Sequence, residues 1–215
     1  IKRHSSFKVP CKYDSSLFEL FMSGFFFKDT GDQKSSWEEI KADLCSSKPM
    51  DRLLCGDVGF GKTEVAMRAA FVSLVNKKRV LVLAPTTILV QQLYSCFSDR
   101  LSPFGFVCGQ ISRITSKHFV LFNGFISGEI DVLIGTHSVV RNLDVLKTAD
   151  LLIVDEEHRF GVKDKEFVFS INPSCDFLSM SATPIPRSLQ FSLSGVRDIS
   201  LMLTAPISRK PVIVN

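Results

Sequence analysis

Short apolar runs separated by amphipathic stretches set the pattern of this chain. Runs rich in Val, Ile and Leu fall at Arg52–Cys55, Arg79–Ala84, Phe106–Ile111, Asp131–Gly135, Leu151–Asp155, Phe177–Ser181 and Ile199–Leu203, and each predicts a strand. These runs lack the polar alternation of a half-solvated strand. They therefore predict burial on both faces, which calls for a parallel sheet covered by helices. Between them, Gln33–Cys45 carries Trp37, Ile40 and Leu44 on one helical face, and Ile88–Leu101 carries Val90, Leu93, Phe97 and Leu101 on another. Lys62–Val75 and Ile185–Ser194 predict two more helices. The fold class is α/β, a parallel sheet with helices on both faces, over residues 31–205. Residues 1–30 form a Phe-rich lead-in, read as a linker from a preceding domain. Leu17, Phe18, Leu20, Phe21, Phe25, Phe26 and Phe27 are dense enough to pack on the flank of the domain, but their spacing does not choose between helix and strand.

Composition narrows the class without naming a function. Hydrophobic residues at 45% and charged residues at 22% exclude a disordered, collagenous or coiled-coil chain. No apolar run approaches the ~18 residues needed to span a bilayer, so no membrane partner is expected. A net charge of +4 is too small to imply a nucleic-acid partner by itself. The six cysteines form no Cys-x-x-Cys pair and have no His at ligand spacing. In a chain of this size that pattern predicts reduced thiols and a cytoplasmic protein, rather than a disulfide framework or a zinc site.

The sharpest chemical signal is Gly56-Asp57-Val58-Gly59-Phe60-Gly61-Lys62-Thr63, which follows an apolar run and opens a helical pattern. Glycines let the backbone wrap with its N–H groups facing phosphate oxygens, and the helix N-terminus adds partial positive charge. Lys62 is expected to reach the terminal phosphates of ATP and the Thr63 hydroxyl to ligate Mg²⁺. Such a site needs a carboxylate for the metal and a base for water. The buried run Leu151–Val154 delivers Asp155 and Glu156 to its C-terminal end, where open α/β sheets bind ligands. Asp155 is expected to hold Mg²⁺ through water, and Glu156 to orient and deprotonate the attacking water.

Asp155-Glu156-Glu157-His158 after a strand resembles motif II of superfamily 2 helicases and translocases, within their first RecA-like lobe. The resemblance continues through Met50–Cys55, Glu64–Phe71, Pro85-Thr86-Thr87, Gly135-Thr136-His137, Asp155–Val162, Ser181–Arg187 and Gly195–Ser200. Taken together these residues resemble the bacterial transcription-repair coupling factors, with RecG as a related group. RecG-like sequences usually carry Gln where this chain has Glu157.

The resemblance implies roles residue by residue. Gln33 matches the glutamine whose amide reads the adenine edge, although Thr30-x-x-Gln33 is also a capping box. Ser181 and Thr183 match motif III, which links the nucleotide site to DNA; His158 is read as a hydrogen-bonding link to that motif, and Arg187 as a structural or coupling residue. Thr86, Gln91, Ser112, Arg113, Thr136 and His137 match positions lining the DNA path, where they would hold backbone phosphates without reading sequence. The implied partners are double-stranded DNA and a second RecA-like lobe, with RNA polymerase and excision-repair proteins reached through other domains of a parent chain. Residues 206–215 read as the start of the connection to that second lobe. A RecG-like branched-DNA helicase lobe and a non-hydrolysing ATP- or DNA-binding remnant are the alternatives.

Overall fold

Each of the seven apolar runs becomes a strand in the computed structural model, which describes residues 6–112, 118–182 and 197–206. The strands are β1 (Asp51–Gly56), β2 (Val80–Ala84), β3 (Cys108–Ile111), β4 (Val132–Thr136), β5 (Leu151–Val154), β6 (Asp176–Ser181) and β7 (Asp198–Met202). They form one sheet in the order β3-β4-β2-β5-β6-β1-β7, and every adjacent pair is parallel. All C-terminal strand ends therefore open on the same edge.

Alternation along the strands sends successive side chains to opposite faces and so builds two cores. Val80, Val82 and Ala84 of β2 join Leu54, Ile134, Ile153 and Met180 on one face. Leu81 and Leu83 join Leu133, Leu152, Val154 and Phe177 on the other. The first face is covered by α1 (Ser15–Ser23), α2 (Gly31–Leu44), α3 (Lys62–Val75) and α4 (Thr87–Leu101). The second is covered by α5 (His118–Ser127), α6 (Leu143–Thr148) and α7 (Val162–Ile171). Trp37, Ile40 and Leu44 of α2, and Val90, Leu93, Phe97 and Leu101 of α4, are the buried faces that the sequence predicts. The helix expected at Ile185–Ser194 lies outside the described residues.

The lead-in packs on the first face. Asp14 caps α1 by accepting from the Leu17 N–H at 3.0 Å. Phe18 then stacks on Trp37 at 4.8 Å, and Phe21 on Phe71 at 4.1 Å. Upstream, the Lys8 ammonium lies 2.6 Å from the fully buried Asp176 carboxylate and donates to the Asp43 carbonyl. Asp176 also accepts from the Met50 N–H at 2.7 Å, so one buried acid ties residue 8 to the start of β6 and the entrance to β1. Among the described residues no helix is long and apolar enough to cross a membrane.

Candidate nucleotide and DNA sites

The phosphate loop bridges the end of β1 and the start of α3. Gly56 is set by packing: a Cβ there would stand 2.9 Å from both the Cβ and the carbonyl oxygen of Met202 on β7. Gly59 and Gly61 have φ of +81° and +86°, a backbone region that glycine enters without a Cβ penalty. Gly61 is the N-cap of α3 and no side chain caps that helix, which leaves its first turn able to face an anion. Lys62 folds back over the loop, its ammonium donating to the Gly56 carbonyl at 2.6 Å and the Asp57 carbonyl at 3.0 Å. Burial lowers the Lys62 pKa, while the charges of Glu156, Asp155 and Asp57 act to raise it. Lysine and acids thus share one electrostatic cluster. Val58 is exposed at the tip of the loop, and Thr63 follows in the first turn of α3.

Gln33 buttresses this loop from α2. Its Oε1 accepts from the Thr30 N–H at 2.9 Å while Thr30 Oγ1 accepts from the Gln33 N–H at 3.2 Å, so the capping box forms. The same amide donates through Nε2 to the Phe60 carbonyl at 2.8 Å. The residue matched to adenine recognition is buried and tied to both the helix cap and the phosphate loop. The loop that leads into this cap is itself clamped: Arg68, on α3 and fully buried, makes a bidentate pair with Asp29 at 2.9 and 2.7 Å.

The acids emerge at the end of β5. The Asp155 N–H donates to the Leu83 carbonyl at 2.8 Å, extending the β2–β5 ladder by one residue. Burial raises the Asp155 pKa and the neighbouring Glu156 charge adds to this; a hydrogen bond from the Glu156 N–H, at 3.1 Å, opposes it. Glu156 sits at φ 54° and ψ 61°, a left-handed conformation that costs a non-glycine residue about 1–3 kcal/mol. His158 Nδ1 lies 3.3 Å from Glu156 Oε2, so His158 faces the acid rather than β6.

The link from this turn to β6 is made instead by Glu157, a role the sequence did not single out. Glu157 Oε2 accepts from Ser179 Oγ at 2.8 Å, and its other oxygen accepts from Arg197. Ser181 ends β6 and is buried. Thr183 and Arg187 lie outside the described residues, as does Arg113.

The sheet order sorts the remaining candidates. Thr86 follows β2 and caps α4 by accepting from the Leu89 N–H at 3.3 Å; Gln91 is exposed on the same helix. Ser112 follows β3 and is buried. Thr136 ends β4 with its hydroxyl 2.8 Å from that of Ser138, and the His137 ring packs edge-on to Phe160 at 5.4 Å. These residues lie at or beyond the C-terminal ends of the adjacent strands β3, β4 and β2, whereas the phosphate loop and the acids follow β1 and β5, the two neighbours of β6. One edge of the sheet thus carries two groups of side chains that meet where β2 pairs with β5.

The residues present fit Mg²⁺. Asp155 offers a half-buried carboxylate, raised in pKa first by burial and then by the Glu156 charge, and Thr63 offers a hydroxyl in the first turn of α3. No cluster of three or more His, Cys, Asp or Glu able to hold a metal occurs among the described residues. Mg²⁺ suits such a setting, since it is bound by one or two protein groups together with substrate phosphates and water.

Comparison with known proteins agrees with this geometry. The DEAD/DEAH box helicase family matches residues 30–191. The chain is 45% identical over 203 residues to the transcription-repair-coupling factor of Escherichia coli K12, covering 94% of this chain and 18% of that protein. It is 46% identical over 210 residues to the factor of Borreliella burgdorferi, covering 97% and 19%. The chain thus spans about one-fifth of the length of these relatives. A solved structure of RecG bound to a three-way DNA junction superposes with a TM-score of 0.84 at 35% identity, over 98% of this chain and 28% of that one. The UvsW helicase of bacteriophage T4, at 18% identity and a TM-score of 0.64, shares the fold.

Proposed function

The chain belongs to the DEAD/DEAH box helicase family, and on that premise we propose that it is the MgATP-binding lobe of a double-stranded DNA translocase of the transcription-repair coupling type. The observation that carries the reading is the electrostatic cluster of Lys62 with Asp155 and Glu156, beyond the C-terminal ends of the two strands that flank β6.

The roles follow from position. The loop 56–61 and the uncapped start of α3 bind the phosphates through backbone N–H groups and the helix dipole. Lys62, now held by two loop carbonyls, exchanges them for phosphate oxygens. Thr63 and Asp155 would hold Mg²⁺, which would supply charge neutralisation for the phosphoryl group. Glu156 orients the attacking water and accepts its proton. Gln33 keeps the loop in register through Phe60 and reads the adenine edge with its remaining amide capacity. Thr86, Gln91, Ser112, Thr136 and His137, joined by Arg113, hold the phosphate backbone of duplex DNA. Ser181, Thr183 and Arg187 couple that path to the nucleotide, and His158 acts on it through its contact with Glu156.

This lobe alone is half a catalytic site. Motors of this kind close a second RecA-like lobe over the nucleotide, and an arginine supplied there is worth roughly 10³–10⁵ in rate. The isolated chain therefore binds ATP and hydrolyses it poorly. In the parent protein, turnover drives movement along DNA that displaces stalled RNA polymerase and brings in excision repair, through segments beyond this lobe.

The test is ATP turnover, with and without linear duplex DNA, by this chain and by one running on through a second lobe. DNA-stimulated turnover by the longer chain alone, abolished by Glu156→Gln, supports the reading. Binding without turnover in both chains would make this a non-hydrolysing module and overturn it. The likeness to RecG favours a second reading, a branched-DNA helicase lobe. Stimulation by a three-way junction but not by linear duplex would select that one.

A further inference from the structure

Glu156 holds a strained backbone, and something must fix it. Upstream, the β5 ladder holds Asp155 through Leu83. Downstream, the anchor is the Glu157 side chain, and its partner is Arg197, at the entrance to β7. Arg197 lies 40 residues further along the chain and is nearly buried, with a side-chain exposure of 9%.

The guanidinium is used on all sides. Nη1 donates to Glu157 Oε1, and Nη2 donates to Ser179 Oγ at 2.5 Å and to the Arg52 carbonyl at 3.1 Å; Nε lies 2.9 Å from Asp51 Oδ1 as a charge contact without hydrogen-bond geometry. Lys165 of α7 closes the chain of charges at 3.0 Å from Asp51. Arg197 also lies over the Phe177 ring, its guanidinium carbon 5.5 Å from the centroid. One side chain therefore connects the acid turn after β5 to the middle of β6 and to the start of β1, the strand that carries the phosphate loop. A planar five-donor fork can make these bonds together; a lysine ammonium cannot.

We propose that Arg197 is a positioning residue for hydrolysis: by anchoring Glu157 it fixes the left-handed backbone of Glu156, and with it the carboxylate that orients the attacking water. The inference rests on the role given above to Glu156. None of the partners named for Arg197 lies in the phosphate loop, so its loss should spare nucleotide binding. It should slow the chemical step, because a misplacement of about 1 Å costs roughly 10²-fold in rate.

The test uses the chain that runs on through a second lobe, with duplex DNA present. Arg197→Met is expected to lower kcat by roughly 10–100-fold with the affinity for a non-hydrolysable ATP analogue held within about threefold. It also leaves Glu157 with Ser179 but without its cationic partner, so its melting temperature should fall. Adding Glu157→Gln removes that stray charge. The double variant should regain stability but not kcat, because the anchor is still missing. Recovery of both would reduce Arg197 to charge compensation and overturn the proposal, as would a wild-type kcat in Arg197→Met. If Arg197→Met does not fold, Arg197→Lys keeps the charge without the fork: an intermediate kcat supports positioning, and a wild-type kcat overturns it. Glu156→Gln runs alongside. If that variant turns over normally, the failure belongs to the functional reading and not to Arg197.

Discussion

Gly61 shows how much a single residue carries at the phosphate loop. It holds φ +86°, and an added Cβ would stand 2.4 Å from Gln33 Nε2, the amide nitrogen that steadies the loop through Phe60. Gly61→Ala is therefore expected to cost about 1–3 kcal/mol in a thermal or urea melt. It should also abolish nucleotide binding by displacing Gln33, read by fluorescence titration. The cysteines behave oppositely: Cys55 and Cys108 are pushed up by burial to about 11 and about 12, so both thiols stay protonated at neutral pH. Cys55 borders the phosphate loop as a packed strand residue. The capping role of Gln33 was legible from Thr30-x-x-Gln33, because a cap is local. Its bond to Phe60 was not, because it depends on how α2 lies against the loop. The tie from Glu157 to Arg197 was hidden for the same reason: only the strand order brings residues 40 positions apart together.

At the scale of elements, helix α3 is the axis of the nucleotide side. It is buried along most of its length, and Arg68 on it is 1% exposed. Arg68 pairs with Asp29 and lies within 3.3 Å of Glu64, while Glu64 also accepts from Arg100 of α4 at 3.2 Å. Arg68→Met leaves Asp29 without its partner, and stability is expected to fall by about 3–5 kcal/mol in a chemical melt. The exit of β7 is held differently. Asp32, in the first turn of α2, accepts from the Leu203 and Thr204 N–H groups at 2.8 and 2.7 Å. Its pKa is lowered, chiefly by the bond with Thr204. A depressed acid stabilises the fold above its unfolded pKa and loses that contribution as pH falls through its folded one. Wild type should therefore lose more stability than Asp32→Asn between neutral and strongly acid pH, measured by melts across that range. The strands were legible because doubly buried strands are continuous Val, Ile and Leu runs. Helices α1, α5, α6 and α7 were not assigned. In α5, Phe119 and Val120 are exposed among apolar neighbours, which erases the polar face that marks a helix.

For the molecule as a whole, the sheet order divides the work. Strands β1, β5 and β6 carry phosphate loop, acids and the Glu157 anchor, while β2, β3 and β4 end in the polar residues assigned to the DNA path. Substitutions on the second group, such as Gln91→Ala with Thr136→Ala, are expected to weaken DNA stimulation and leave ATP affinity unchanged, measured by turnover against DNA concentration. The central claim is that this lobe is a complete ATP-binding surface and an incomplete hydrolytic one. The most direct measurement is titration of the 215-residue chain with a fluorescent ATP analogue, with and without Mg²⁺, alongside phosphate release from the same samples. Saturable Mg²⁺-dependent binding, lost in Lys62→Ala and accompanied by negligible release, is the result expected. Binding indifferent to Lys62, or rapid phosphate release by the lobe alone, would contradict the account.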